Sequence, residues 1–183
     1  MTRFFDILFS CIGILFLSPF MLMLLIVGLF DTGSPIFLQE RVGINLKPFH
    51  LMKFRSMHVN TKTVATHLVQ VSAITKWGAI LRKSKLDELP QLFNVLMGDM
   101  SFVGPRPNLF NQTELIEERS KRGVYAIRPG ITGLAQINKI DMSTPKLLAE
   151  TDAKMIQSFS IFKYFNCIIF TVLGKGSGDR VVR

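Results

Sequence analysis

Ile7–Phe30 reads ILFSCIGILFLSPFMLMLLIVGLF, 24 residues without a charge whose only polar side chains are the hydroxyls of Ser10 and Ser18 and the thiol of Cys11. A run this long and apolar belongs in a membrane, and as one straight helix it reaches about 36 Å, enough to cross a bilayer core. A cleaved signal peptide fits poorly, because the run is too long and no small-residue cleavage site follows it. Ser18-Pro19 falls at the midpoint. Proline removes a backbone donor and crowds the carbonyl four residues back, so a kink is expected there. In lipid a freed carbonyl is costly, and the Ser18 hydroxyl is placed to satisfy one. The residues themselves leave two arrangements open: a kinked spanning helix, or one that enters and returns. In the second, Arg3 and Asp6 at one end and Asp31 at the other stay hydrated at one interface.

Working outward, the charge lies beyond this segment. The chain carries a net +9, yet residues 1–31 hold only Arg3, Asp6 and Asp31. Such an excess calls for an anionic partner: nucleic acid, anionic headgroups or a phosphate-rich substrate. The anchor favours the last two, and in a bacterial protein Lys/Arg-rich loops stay on the cytoplasmic side. Cys11 and Cys167 each sit in an apolar run with no CxxC pair, which reads as two buried thiols in a reducing compartment.

After Asp31-Thr32-Gly33-Ser34-Pro35 the pattern turns to β. Ile36–Val42 and Phe49–Met57 flank turn chemistry at Gly43–Pro48, which predicts a hairpin. Period-two geometry puts Phe49, Leu51, Lys53 and Arg55 on one face of the second strand. Thr66–Met97 reads as helical, interrupted near Ser84 and Pro90, so Asp87 and Glu88 fall at or just before a helix N-terminus. Residues 98–107 and Arg128–Gly133 read as constrained loops, with prolines beside Arg106 and Arg128. Asn111–Arg122 is a charged surface helix that Gly123 terminates. Another helix begins with Thr144 as cap and Pro145 at its first position. Phe159–Leu173 is apolar on most faces, either a core helix or one lying among headgroups.

Adjacent acids are common in a helix's first turn, where they complement its dipole. The setting of Asp87-Glu88 argues for more: Arg82, Lys83 and Lys85 precede the pair, and Leu86, Leu89 and Pro90 enclose it. A carboxylate held among cations is a candidate nucleophile toward a phosphate ester, and its neighbour a candidate metal ligand. Arg106 and Arg128, fixed by prolines, are the kind of guanidinium that grips phosphate. There is no P-loop, dinucleotide fingerprint, GxSxG or HExxH, and His50, His58 and His67 lack metal-ligand spacing.

Three strings resemble the bacterial sugar transferase family: KFRSM (Lys53–Met57), LDELPQLFNVLMGDMSFVGPRP (Leu86–Pro107) and RPGITGLAQIN (Arg128–Asn138). Its small monotopic members are phosphoglycosyl transferases, and the likeness runs from the apolar segment to about Lys175. The resemblance implies an α+β, mainly α fold, with a re-entrant membrane helix (residues 1–31), broken at Ser18-Pro19. A catalytic domain (residues 32–175) with a small hairpin and short amphipathic interface helices follows, then a tail (residues 176–183). It implies the minimal catalytic form, on the cytoplasmic face of a bacterial inner membrane. The reaction implied moves a sugar-1-phosphate from a UDP-sugar to polyprenol (undecaprenyl) phosphate and releases UMP. Asp87 is then the nucleophile of a covalent, ping-pong scheme that initiates glycoconjugate assembly. Glu88 is its dyad partner, Asp87 and Glu88 hold Mg²⁺, and Lys53, Arg55, Arg82, Arg106 and Arg128 face the phosphates.

Around Asp141–Pro145 and Ala149–Asp152 the chain lacks the Trp and Tyr of many relatives, in a region that bears on the choice of sugar. An N-acetylated hexosamine, 6-deoxy or not, is the expectation. The rival reading is a non-catalytic, membrane-anchored basic protein that binds anionic lipid or nucleic acid. It explains charge and anchor, but not an enclosed Asp-Glu pair or proline-locked arginines. A nucleic-acid surface also interleaves exposed aromatics with Lys and Arg, whereas most Phe residues here lie in the two apolar segments. No nucleic-acid partner is therefore expected.

Overall fold

The computed structural model describes residues 2–61 and 73–174. Helix α1 (Thr2–Thr32) is the one helix among them long and apolar enough to cross a membrane. It continues through Pro19, and the carbonyl that Pro19 leaves without a donor, that of Leu15, accepts the Ser18 hydroxyl at 3.0 Å. The expected local repair at the proline is therefore present. One stripe of α1 meets the rest of the chain. Asp6, Ser10, Met21, Leu24 and Gly28 are buried at helical spacing, and Gly13 faces Leu92. Gly28 is required by close approach, since a Cβ there would stand 2.8 Å from that of Pro35. Between the two contact regions, Leu15–Pro19 is exposed throughout.

The two ends of α1 differ from the hydrated ends expected. Asp6 is buried, and its Oδ1 accepts from the Ser101 hydroxyl (2.9 Å), the Phe102 amide (3.0 Å) and the Tyr164 hydroxyl (2.8 Å). The Arg3 guanidinium donates to the carbonyls of Val95 and Leu96. Only Asp31 stays exposed, and its Oδ2 accepts from Thr75 at 2.7 Å. A charge near the apolar run is sheltered here because the folded chain supplies its donors.

Strands β1 (Ile36–Val42) and β2 (Pro48–Phe54) form the expected antiparallel hairpin, closed by a 3₁₀ turn at Ile44–Leu46. Strand β2 ends sooner than expected. Arg55 lies just past it, and Met57 makes only an isolated bridge with Ile74. Phe49 and Leu51 pack on Val95 and Met100, while Phe54 on the opposite face joins Met21, Leu24 and Leu81.

Helix α2 (Lys76–Ser84) starts at the Thr75 cap, whose hydroxyl accepts from the Gly78 amide at 2.8 Å, and ends at the left-handed Lys85. A 3₁₀ turn at Leu86–Glu88 and helix α3 (Gln91–Met97), with Pro90 immediately before it, follow as expected. The part of the predicted helical region at 66–72, His67 and the tail lie outside the described residues. The two proline-rich loops each hold a strand: β3 (Ser101–Val103) pairs in parallel with β4 (Gly130–Thr132). Gly104 and Gly130 allow this contact, since a Cβ on Gly130 would lie 2.0 Å from the Gly104 nitrogen.

Helices α4 (Thr113–Lys121), α5 (Leu134–Ile137), α6 (Pro145–Gln157) and α7 (Ile161–Val172) complete a mainly helical α+β fold. Helix α7 is a core helix on one face. Tyr164 and Cys167 join the core with Val103 and Met155, while Phe162, Ile169 and Val172 stay exposed.

Candidate active site

The site begins where α2 stops. Left-handed Lys85 (φ 59°) turns the chain into the Leu86–Glu88 turn, and Leu86 and Leu89 pack against Met21, Leu24 and Leu81. The Asp-Glu pair therefore rests on α1. Asp87 is 4% exposed. Glu88 Oε1 accepts from Lys53 Nζ at 3.2 Å and from Arg106 at 3.4 Å. Arg82 stands within electrostatic reach of both carboxylates.

The two neighbours differ in acidity. Burial pushes the Asp87 carboxyl above its usual range, beyond what Lys53 draws down, and adjacent Glu88 adds to the rise. Burial would raise Glu88 too, but Lys53 and Arg106 outweigh it and hold that carboxyl below its usual range. Burial also brings the Lys53 ammonium down, although Glu88 and Asp87 hold it up. Glu88 is thus the more acidic carboxylate, in contact with two cations, and Asp87 the more basic one at its side.

Arg106 is positioned through its backbone. Arg119 Nη1 donates to the Arg106 carbonyl (2.8 Å) and to Asn108 Oδ1 (2.9 Å), which also accepts the Tyr125 hydroxyl at 2.9 Å. Arg119 is paired with Asp152 at 2.7 Å, both of them buried. From the hairpin side, Arg41 donates to the Pro107 carbonyl at 3.1 Å and to Gln39 Oε1, and the Val42 amide donates to the Asn108 carbonyl at 2.9 Å. Burial, with Arg106 nearby, lowers the Arg41 guanidinium to about 9.

Of the residues expected at the site, Asp87, Glu88, Lys53, Arg82 and Arg106 come together. Arg55 instead donates to the carbonyls of Ser34 (2.7 Å) and Ile36 (3.3 Å) and stacks over Phe37. Arg128 is exposed and donates to the Gly98 carbonyl at 2.7 Å, at the C-terminal end of α3. Ser18 and Pro19 are exposed at the middle of α1. Sequence reasoning missed Arg41, Arg119 and Asp152. Helical spacing offered a signal for Arg119, four residues after Leu115 on the one buried face of α4.

Asp87 and Glu88 offer hard oxygen donors to a divalent cation. Among the described residues no group of three or more His, Cys, Asp or Glu side chains could hold a metal. A cation here would take its remaining ligands from substrate and water, the habit of Mg²⁺.

A family model described as bacterial sugar transferase matches residues 1–175. An uncharacterized sugar transferase of Haemophilus influenzae is 40% identical over 79% of this chain and 35% of its own length. The uncharacterized sugar transferase EpsL of Bacillus subtilis is 36% identical over 94% of this chain and 85% of its own. The UDP-glucose:undecaprenyl-phosphate glucose-1-phosphate transferase of Escherichia coli K12 is 38% identical over 91% of this chain. The chain spans little more than a third of the Haemophilus and Escherichia proteins, at 35% and 38% of their lengths.

Proposed function

Because the chain belongs to the bacterial sugar transferase family, we propose that it is a membrane phosphoglycosyl transferase. It moves a sugar-1-phosphate from a UDP-sugar to polyprenol phosphate, at the cytoplasmic face of the inner membrane, to begin a glycan. One observation carries this reading: buried Asp87 sits beside a Glu88 that already holds Lys53 and Arg106. An Asp87 carboxylate oxygen attacks the phosphorus bonded to the sugar. The bond from that phosphorus to the bridging oxygen breaks, and UMP leaves with the electron pair. An oxygen of polyprenol phosphate then attacks the same phosphorus and expels the Asp87 carboxylate. Lys53, Arg82 and Arg106 offset the charge that accumulates as anion approaches anion.

Asp87 and Glu88 would hold Mg²⁺, and when bound it would supply further charge neutralisation. The re-entrant course of α1 belongs to the same proposal. It is supported by the contacts that both arms of the helix make with the globular part, Asp6 with Tyr164 and Asp31 with Thr75.

Purified protein incubated with a panel of UDP-sugars, Mg²⁺ and a short polyprenol phosphate should release UMP with at least one sugar. Without lipid it should retain a covalent phosphosugar on Asp87. A protein that binds anionic lipid yet releases no UMP from any donor would be the non-catalytic alternative.

A further inference from the structure

We propose that Arg41 is a ligand of the nucleotide-side phosphate, so that the diphosphate lies with its sugar phosphate at Asp87 and its other phosphate toward the Arg106–Asn108 loop. This rests on the phosphoglycosyl transferase reading and adds to it a residue and a direction.

Arg41 is 7% exposed and, among the described residues, has no carboxylate partner. Its bonds run to two neutral acceptors, Gln39 Oε1 and the Pro107 carbonyl. These use three of the five guanidinium N–H groups. A buried cation with neutral acceptors only, near two other cations, is costly unless an anion joins it. Anchoring Pro107 does not account for that cost, since a neutral donor would hold the carbonyl equally well. Arg119 makes the comparison on the same loop: it holds the Arg106 carbonyl, and it has Asp152.

Placement supplies the direction. Cα partners Phe37↔Lys53, Gln39↔Leu51 and Arg41↔Phe49 put Lys53 and Arg41 on one face of the hairpin, Arg41 nearer the turn. Arg106 reaches Glu88 and lies close enough to Arg41 to repel it. Along the hairpin, Lys53 at the dyad is thus followed by Arg41 nearer the turn, with Arg106 close to both Glu88 and Arg41. A diphosphate attacked at Asp87 has its second phosphate on that line.

The test uses UMP as the probe on full-length protein in nanodiscs, by calorimetry, with KM values for the UDP-sugar and for a short polyprenol phosphate. Arg41→Gln should weaken UMP binding roughly tenfold or more. It should raise the UDP-sugar KM to match and leave the lipid KM unchanged. Gln39→Glu keeps the shape but gives Arg41 its missing carboxylate, so it should weaken UMP binding while raising the melting temperature. Unchanged UMP affinity in Gln39→Glu overturns the proposal, and this arm decides even if Arg41→Gln does not fold. An equal loss for both substrates in Arg41→Gln overturns it too. If the unaltered protein neither binds UMP nor releases it from any UDP-sugar, the transferase reading itself fails.

Discussion

Asp87 and Glu88 are consecutive, and their surroundings shift their acidities in opposite directions. Glu88 is shared between Lys53 and Arg106 and kept ionised, whereas burial keeps Asp87 the more basic. Asp87→Asn fills the same space without a nucleophile, so labelled UDP-sugar should leave no covalent adduct on it while the melting temperature holds. An adduct of normal yield on that variant would assign the nucleophile elsewhere. Lys53→Ala and Arg106→Ala should each lower kcat/KM about a hundredfold with a smaller effect on stability, because on the proposed mechanism they remove charge that faces the reacting phosphate. Arg55→Ala should do the reverse. Its guanidinium holds the Ser34 and Ile36 carbonyls and stacks on Phe37, so its loss should lower Tm by roughly 3–6 °C with turnover largely kept. Thermal melts set beside specific activity separate the two kinds of cation. The enclosure of Asp87 was legible because Leu86, Leu89 and Pro90 announce an enclosed turn. The role of Arg41 was not, since its want of a carboxylate depends on what the folded chain brings near.

Elements were legible where the signal is local. Turn residues at Gly43–Pro48 mark the hairpin, and Pro90 and Pro145 mark helix starts. Strands β3 and β4 were not legible, because three-residue strands carry no periodicity and their pairing joins residues about thirty positions apart. The Asp6 clasp escaped for the same reason: its donors come from Ser101, Phe102 and Tyr164, on two distant elements. That clasp fixes α1 to β3 and α7, and it should be measurable as stability. Asp6→Ala leaves a serine hydroxyl, a backbone amide and a tyrosine hydroxyl without their shared acceptor, and should cost about 3 kcal/mol. Tyr164→Phe removes one donor and should cost about 1 kcal/mol. The double variant should cost less than the sum, because the second change removes a bond already lost. Denaturation in detergent checks all three, and an Asp6→Ala protein as stable as the parent would mean that the clasp contributes nothing.

At the scale of the whole molecule, these clasps bear on the proposed topology. Asp6 and Asp31 are separated by about 37 Å of helix, enough to place them on opposite faces of a bilayer. Yet Asp6 is bonded to Ser101 and Tyr164, and Asp31 to Thr75, all in the part of the chain that carries the dyad. A spanning helix would have to tear Asp6 from three donors and leave it at the far surface. Leu15–Pro19 is exposed throughout, with Phe16 75% exposed, and α1 also exposes Phe4, Leu22 and Phe30, so its outer face along the whole length is available to lipid. Proline inside this stretch is tolerated because Ser18 satisfies the Leu15 carbonyl. The N-terminus and the catalytic part should therefore share the cytoplasmic side. Single cysteines at Thr2 and Asn60, in a Cys11→Ser, Cys167→Ser background, should both resist an impermeant thiol reagent in intact spheroplasts and both react after permeabilisation. Labelling of the first alone in intact cells would mean that α1 spans. Ser18→Ala with Pro19→Leu removes the midpoint device but leaves the clasp, so the N-terminus should reach the outside in only part of the population. Adding Asp6→Ala releases the arm, and labelling from outside should then approach completion as UMP release is lost.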